Sequence, residues 1–187
     1  MTARTVSYGG GREALLEATV RVVARAGLRK LTNRAVAEEA GVTHGLVGHH
    51  FGSRDALIEA AMRYVVERSV AESELESPTG SVDDFARGLV DLVAADPEIQ
   101  AFQYELSLEA RRRPELTRFI REQNDAYRSA VRKALDGMGI GHVSDLDLAV
   151  FATLDGLVFH QVTEDRPEDT EAGLTALRAL LRAAGAQ

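Results

Sequence analysis

Cysteine is absent from the 187-residue chain, which excludes disulfide bonds and thiolate chemistry and agrees with a reducing compartment. The chain also lacks any apolar run approaching the ~20 residues that a membrane-spanning helix needs. Residues 1–12 lack the apolar stretch of a signal peptide. These absences predict a cytoplasmic protein that has no membrane partner.

Two further absences concern structure and chemistry. No run of alternating β-branched residues predicts a strand, whereas apolar residues recur at three- and four-residue spacing along the chain. We therefore predict an all-α fold of about nine helices. No Ser/His/Asp set, paired-carboxylate arrangement or phosphate-binding loop stands out, so we expect neither an enzyme nor a cofactor.

The chain also lacks a positive overall charge, but its charges are unevenly distributed. The formal net charge is −7, yet residues 1–70 carry ten Lys and Arg against seven Asp and Glu, and the remainder carries a net charge of −10. His44, His49 and His50 also lie in the basic part. Association with DNA depends on local cationic surface, so this distribution is compatible with a nucleic-acid-binding N-terminal part.

Glycine and capping residues divide the N-terminal part into helices. A first helix ends at Gly27, which we expect to be left-handed, and a short apolar link follows over residues 28–31. Thr32 and Thr43 each begin a short helix, and Ser53 can cap a longer one.

The C-terminal part is divided in the same way. The Pro- and Gly-containing segment 74–80 is the predicted internal boundary. Beyond it, helix starts are indicated at Ser81, at Asp96-Pro97, and at Ser144, which has Asp147 at the capping-box spacing. The predicted helices cover residues 82–95, 98–113, 114–138, 144–164 and 169–184.

The segment 31–51 has the pattern of two short helices that cross steeply through a tight turn, so that the second can enter a major groove. Ala37 supplies the small residue that a close helix crossing needs, and Gly41 can take the positive φ of the turn. Val42 and Val47 would fix the second helix to the core. The pattern predicts a helix-turn-helix over about residues 32–50.

The run over residues 37–57, AEEAGVTHGLVGHHFGSRDAL, resembles the signature of the TetR (tetracycline repressor) family of transcriptional regulators, and the helix before it fits as well. The resemblance covers about residues 12–66. It implies a three-helix helix-turn-helix domain over residues 1–66 and a C-terminal helical bundle for ligand binding and dimerisation over residues 67–187.

The same resemblance implies a function. It is that of a homodimeric repressor that binds a palindromic operator in double-stranded DNA and is released by a small-molecule effector. Two recognition helices would then lie about one DNA turn, ~34–36 Å, apart.

The resemblance also assigns DNA contacts to residues of the head. Hydroxyls and backbone N–H groups at helix starts can hold phosphates, and the second helix would reach phosphates and base edges. The implied DNA-binding residues are Thr32, Thr43, His44, Gly45, Leu46, His49 and Arg54. Gly48 departs from the family pattern, which usually has a phosphate-contacting tyrosine there. Gly45 and Gly48 together suggest a helix that is loose or that packs very close to DNA.

Polar and aromatic residues on the C-terminal helices are candidates for a ligand cavity, as in the family. They are Phe102, Tyr104, Phe119, Tyr127, Asp155, Phe159 and His160. The alternative for each residue is an ordinary place in the core or in a dimer seam. The wide apolar stripes of the last two helices, about residues 144–184, suit a four-helix seam between two copies of the chain.

Other interpretations remain open at this stage. His49 and His50 could be metal ligands, but adjacent helical residues point about 100° apart and seldom share an ion, so we expect no metal site. Residues 111–113, all arginine, could form a second DNA patch or a solvated helix end. The whole chain could instead be a helical ligand-binding or protein-interaction module. It could also be a small enzyme that uses His160 with Asp155.

Overall fold

The structure is a computed structural model that describes residues 10–72 and 79–185. Every regular element in these ranges is helical, which confirms the all-α prediction. The α-helices are α1 (Gly10–Ala26), α2 (Asn33–Ala40), α3 (His44–Phe51), α4 (Arg54–Glu72), α5 (Leu89–Ala95), α6 (Pro97–Glu109), α7 (Thr117–Gly137), α8 (Leu146–Glu164) and α9 (Pro167–Gly185).

Three short 3-10 helices lie between the α-helices. They are Leu28–Lys30, within the predicted apolar link, Val82–Asp84 and Pro114–Leu116. Most of the predicted boundary segment 74–80 lies outside the described residues, as does much of the N-terminal arm. No helix in the described part of the chain is both long and apolar enough to cross a membrane.

The chain forms two compact units. The first joins the residues up to Val65 with Ala101–Phe119, and the second joins Val66–Gln100 with the residues from Ile120 onward. The boundaries therefore fall inside α4, α6 and α7. The predicted division into a DNA-binding domain up to residue 66 and a ligand-binding domain from residue 67 stays a prediction. It assigns residues 101–119 to the C-terminal domain, whereas the structure groups them with the first unit.

The core of the first unit is built from one face of each of its longer helices. α1 buries Leu15 and Val23, α4 buries Leu57 and Ile58, and α6 buries Phe102, all with essentially no exposed surface. Burial of side chains of this size contributes about 1.5–3 kcal/mol each relative to exposure. The apolar link between α1 and α2 adds two further core residues, Leu28 and Leu31.

The prediction of one helix over residues 82–95 was wrong, because the chain turns sharply at Phe85-Ala86. Phe85 has φ −59° and ψ 125°, and the buried Ala86 has φ 52°. The N–H of Arg87 donates to the Asp84 carbonyl at 3.3 Å, which makes residues 84–87 a type II turn. The carbonyl of Phe85, turned away by this geometry, accepts a hydrogen bond from Nε of the buried Arg178 at 3.0 Å. A contact across 93 residues therefore stabilises a turn that local sequence does not indicate.

The capping box predicted at Ser144 and Asp147 was also wrong. The residue before α8 is Asp145, which has φ 57°, and the Ser144 hydroxyl donates to the Asp145 carboxylate at 2.8 Å. Asp147 is buried instead and accepts from Nη2 of Arg132 at 2.8 Å and Nη2 of Arg128 at 3.0 Å. The hydrogen bond from Arg132, and secondarily that from Arg128, holds the pKa of Asp147 below its ordinary value against the opposing effect of burial.

Candidate nucleic-acid interface

The turn between α2 and α3 has the predicted backbone geometry. Gly41 follows α2 with φ 68° and ψ 31°, and its N–H donates to the carbonyls of Ala37 and Glu38. The N–H of Val42 also donates to the Ala37 carbonyl, at 2.9 Å, so two N–H groups close the end of α2. This left-handed cap satisfies carbonyls that the helix leaves free and redirects the chain into α3.

Small and β-branched residues hold α3 against α2. Ala37 is 2% exposed and Val47 is 1% exposed, while Val42 is half-buried. The burial of Ala37 and Val47, with α2 and α3 packed together, agrees with the predicted close approach at Ala37 and the predicted anchoring by Val47. Because Val47 faces inward, the residues about half a turn away along α3 face solvent.

The two threonines at the helix starts differ. The hydroxyl of Thr32 accepts the N–H of Ala35 at 3.1 Å, which caps α2. Thr43 precedes α3 in an extended conformation, and its exposed side chain makes no capping hydrogen bond. The Thr43 hydroxyl is thus not used to cap its own helix.

Gly45 and His49 are exposed on the side of α3 opposite Val47, His44 is exposed as the first residue of the helix, and Leu46 is half-buried. A Cβ placed on Gly45 would meet nothing within 4 Å, and one placed on Gly48 would meet only Asn33 Nδ2 at 3.9 Å. Packing within the described chain therefore requires neither glycine, although each costs roughly 1 kcal/mol of helix propensity relative to alanine.

Arg54 has a structural role that sequence reasoning missed. Its Nε donates to the Leu31 carbonyl at 3.0 Å, and its Nη2 donates to the Leu28 carbonyl at 2.6 Å. Arg54 therefore ties the first turn of α4 to the link that precedes α2. The resemblance assigned it a phosphate contact, which stays a prediction. Ser53 caps α4 as predicted, because its hydroxyl accepts the N–H of Ala56 at 3.1 Å.

The other side of the same link is held by α6. The carboxylate of Glu105 accepts the N–H of Leu28 at 3.1 Å. Gly27 has φ 78° and ψ 159°, so its φ is positive as expected but it is extended rather than left-handed helical. A Cβ at this residue would lie 3.1 Å from Glu105 Oε1, so glycine also lets the carboxylate approach. Sequence alone offered no pairing for Glu105.

The arginine run at residues 111–113 is divided by the structure. Arg111 and Arg112 are exposed, whereas Arg113 is more enclosed and binds Asp55 at 2.9 Å and Glu115 at 2.8 Å. The hydrogen bonds to Asp55 and then to Glu115 raise the pKa of Arg113. Arg113 thus ties the loop after α6 to the first turn of α4. The exposure of Arg111 and Arg112 agrees with a solvated helix end, and the alternative of a second DNA patch there stays untested.

The seven candidate ligand residues are divided between the two units. Phe102, Tyr104 and Phe119 belong to the first, and Tyr127, Asp155, Phe159 and His160 belong to the second. Phe102 is completely buried, whereas Asp155, Phe159 and His160 are exposed on α8. Tyr127 stacks on Phe151, with ring centroids 6.3 Å apart. The assignment of these residues to a ligand site stays a prediction.

His160 lies at a surface groove of the second unit, where α8 ends and α9 begins. Its Nδ1 is 2.6 Å from a carboxylate oxygen of Glu164, one helical turn away. The groove has a volume of about 270 Å³ and is lined by Leu157, His160, Glu164, Arg166, Asp169 and Thr170. Among the residues the structure describes, no group of three His, Asp or Glu side chains is placed to hold a metal ion.

The turn geometry gives a stability prediction. We expect Gly41→Ala to lower the free energy of unfolding by about 1–2 kcal/mol, because the left-handed conformation crowds the added Cβ although the space beside it is open. Gly45→Ala is the matched control, since it adds the same methyl group to open space inside a helix and should raise stability by up to about 1 kcal/mol. Urea unfolding followed by circular dichroism measures both. Equal effects would contradict this account of the turn.

Comparison with known proteins supplies the family. Residues 15–61 match the family model described as bacterial regulatory proteins, tetR family. Residues 80–185 match a second model, the tetracyclin repressor-like C-terminal domain. The chain belongs to the TetR family. It is a transcriptional regulator with a helix-turn-helix DNA-binding domain, and the predicted family and fold are confirmed.

Individual relatives agree with this assignment. The TetR-family chain is 44% identical over 55 residues to the regulator BetI of Burkholderia thailandensis, a match that spans only 28% of the length of BetI. A TetR-family protein from Streptomyces coelicolor A3 is similar over 93% of this chain and 97% of its own, with 29% identity and a TM-score of 0.71. The multidrug-binding protein EbrR has been solved in complex with proflavin. Its structural alignment covers 93% of this chain and 99% of the EbrR chain, with 29% identity and a TM-score of 0.58.

Proposed function

We propose that this TetR-family chain is a homodimeric repressor that reads a palindromic operator with α3 and releases it when a small molecule binds. The helix-turn-helix carries the proposal: its turn is closed at Gly41, its inward side is anchored by Val47, and its outward side is left uncovered. Thr32, Thr43, His44, Gly45, Leu46, His49 and Arg54 are the proposed DNA contacts. We expect no catalysis, because the family consists of regulators.

The exposed apolar surface supports a dimer through the last two helices. Of the four large apolar side chains exposed in the described ranges, three lie on α8 and α9: Leu148 at 47%, Phe159 at 41% and Leu180 at 68%. On α8, Leu148, Ala152, Asp155 and Phe159 share one exposed face at helical spacing. α8 and α9 pack side by side, so two copies can bury these faces in a four-helix seam with twofold symmetry.

The proposed release of the operator by a small molecule is supported by relatives of this chain. EbrR is a multidrug-binding protein, and its solved complex with proflavin supports an effector for the present chain. Coupling between an effector and DNA typically amounts to about 1–3 kcal/mol, which is a several-fold to hundred-fold change in affinity. The groove near His160 and the seven candidate residues are the first positions to examine by substitution.

Selection of bound duplexes from a random pool tests the function directly. We expect the full chain to select an inverted repeat whose half-sites are one DNA turn apart. Leu180→Glu should shift the protein toward monomer in sedimentation and weaken operator binding, because a charge enters the apolar seam. Leu108→Glu is the matched control, since Leu108 is also exposed but lies on α6. Failure to prefer any duplex over random DNA would refute the proposal.

A further inference from the structure

α3 has an unusual charge composition for a helix that faces DNA. Between His44 and Phe51 it contains no Lys, Arg, Asp or Glu, so its only titratable side chains are imidazoles. His44 and His49 are exposed, whereas His50 is half-buried, with its ring centroid 5.5 Å from that of His49 and 6.1 Å from that of Phe51. Two exposed imidazoles, His44 in the first turn of α3 and His49 on the side opposite Val47, are therefore available to a ligand.

Three arginines of α1 and α2 are paired with carboxylates. Arg34 of α2 donates to Glu38 at 2.8 Å. Glu39, also on α2, accepts from Arg21 of α1 at 2.7 Å and lies 3.5 Å from Arg25. Glu17 lies 3.8 Å from Arg21, so three carboxylates match these three arginines and the cluster carries little net charge.

The arginines at the two ends of the head are also engaged inside it. The guanidinium of Arg12 lies 5.3 Å from the centroid of the Phe51 ring, at the end of α3. Arg54, at the start of α4, is bound to the carbonyls of Leu28 and Leu31, and the neighbouring Asp55 is bound to Arg113. Exposed fixed cations do occur nearby at Arg29 and Lys30, on the link before α2.

We propose that His44 and His49 supply the positive charge of the DNA-facing side of α3, so that DNA affinity increases as the pH falls from 8 to 6. This inference rests on the proposed DNA-binding function and adds a regulatory property to it. Imidazole is the side chain whose charge can change near neutral pH, whereas Lys and Arg remain charged there. Arg29 and Lys30, together with Arg12 and Arg54, whose partners inside the head are uncharged, would then provide the part of the affinity that does not depend on pH.

The proposal makes a quantitative statement about salt dependence. Each phosphate neutralised by a cation steepens the slope of log affinity against log salt by about 0.9 for duplex DNA. The slope should therefore be steeper at pH 6 than at pH 8 by about 0.9 for each histidine that faces a phosphate. Phosphodiesters do not titrate in this range, so a change in slope belongs to the protein.

The experiment measures binding of the full chain to a fluorescent duplex by anisotropy, at pH 6 and pH 8 and at several salt concentrations. The duplex is the selected operator, and a random 30-bp duplex is the second probe. At ~0.1 M salt we expect the affinity at pH 6 to be higher by about tenfold for each histidine that faces a phosphate. His44→Gln with His49→Gln should remove most of this difference, and His142→Gln, an exposed histidine of the second unit, should retain it.

A third variant covers the case in which the glutamine substitutions abolish binding. His44→Lys with His49→Lys fixes both charges, so its affinity and salt slope should be nearly equal at the two pH values. The inference is overturned if the lysine variant retains the wild-type pH dependence or binds neither duplex. It is also overturned if the wild-type protein binds its operator with a pH-independent salt slope. That last result would leave the proposed function intact, whereas absence of any duplex preference refutes the function itself.

Discussion

Phe102→Ala should lower the free energy of unfolding by about 3–5 kcal/mol, the usual cost of truncating a fully buried aromatic side chain. Phe102 has no exposed surface and lies on α6 beside the equally buried Leu106, one turn further along. The lost transfer energy and the remaining cavity both contribute, because a packed core relaxes only in part. Urea unfolding at constant protein concentration measures the change.

This prediction distinguishes two roles for the same residue. The family resemblance assigned Phe102 to a ligand cavity, where truncation would leave stability nearly unchanged and alter the effector response. Phe102→Leu is the conservative control, and it should cost much less because most of the volume is retained. A stable Phe102→Ala protein that no longer responds to its effector would contradict the core assignment.

Arg54→Ala should cost about 2–4 kcal/mol, because two charge-assisted hydrogen bonds to backbone carbonyls are lost together. The carbonyls of Leu28 and Leu31 would each lose the hydrogen bond from Arg54, and Leu28 is buried. The start of α4 and the link before α2 would then be free to separate. The loss should appear as reduced stability even without DNA.

Arg54→Lys separates this structural role from a phosphate contact. Lysine keeps the positive charge, but its ammonium lacks the planar fork that reaches two carbonyls at once. If the structural role dominates, the lysine variant loses about 1–2 kcal/mol of stability, and its DNA affinity falls in proportion to the distortion of the head. If the phosphate contact dominates, Arg54→Lys is as stable as the wild type, and Arg54→Ala weakens DNA binding and its salt slope alone.

The helix-turn-helix was predictable because its determinants are local. Thr32 caps α2 through a residue three positions away, and Gly41 ends the same helix through the carbonyls of Ala37 and Glu38. Each of these contacts lies within one helical turn, where propensity and capping rules apply. The packing of Val47 also follows from helical spacing alone.

The errors arose where distant residues decide the backbone. The turn at Ala86 depends on Arg178, and the start of α8 at Leu146 depends on how Asp147 is bound by Arg128 and Arg132 on α7. Local sequence favoured a continuous helix in the first case and a capping box in the second. A positive φ at alanine costs about 1–2 kcal/mol. A buried hydrogen bond from a distant residue can offset this cost, but a short stretch of sequence does not show that such a bond will form.

The candidate site was predictable in part, for a related reason. Two outward positions of α3 follow from helical geometry, since Gly45 and His49 are each two residues from the buried Val47 and lie opposite it, whereas His44 is exposed as the first residue of the helix. The internal use of Arg54 and Glu105 did not follow, because their partners lie 23 to 77 residues away. A sequence motif indicates which residues face outward, but it does not indicate which charged side chains are bound by partners within the protein.

The backbone of Leu28 is held by two separate helices, since Glu105 of α6 accepts from its N–H and Arg54 of α4 donates to its carbonyl. Together with the pairing of Asp55 and Arg113, this makes residues 101–119 part of the support of the DNA-reading head. A chimeric regulator cut at residue 66 would leave that N–H and that carboxylate without their partners. Interchange of sensing bodies between such regulators therefore needs a recipient body that carries its own equivalents of Glu105 and Arg113.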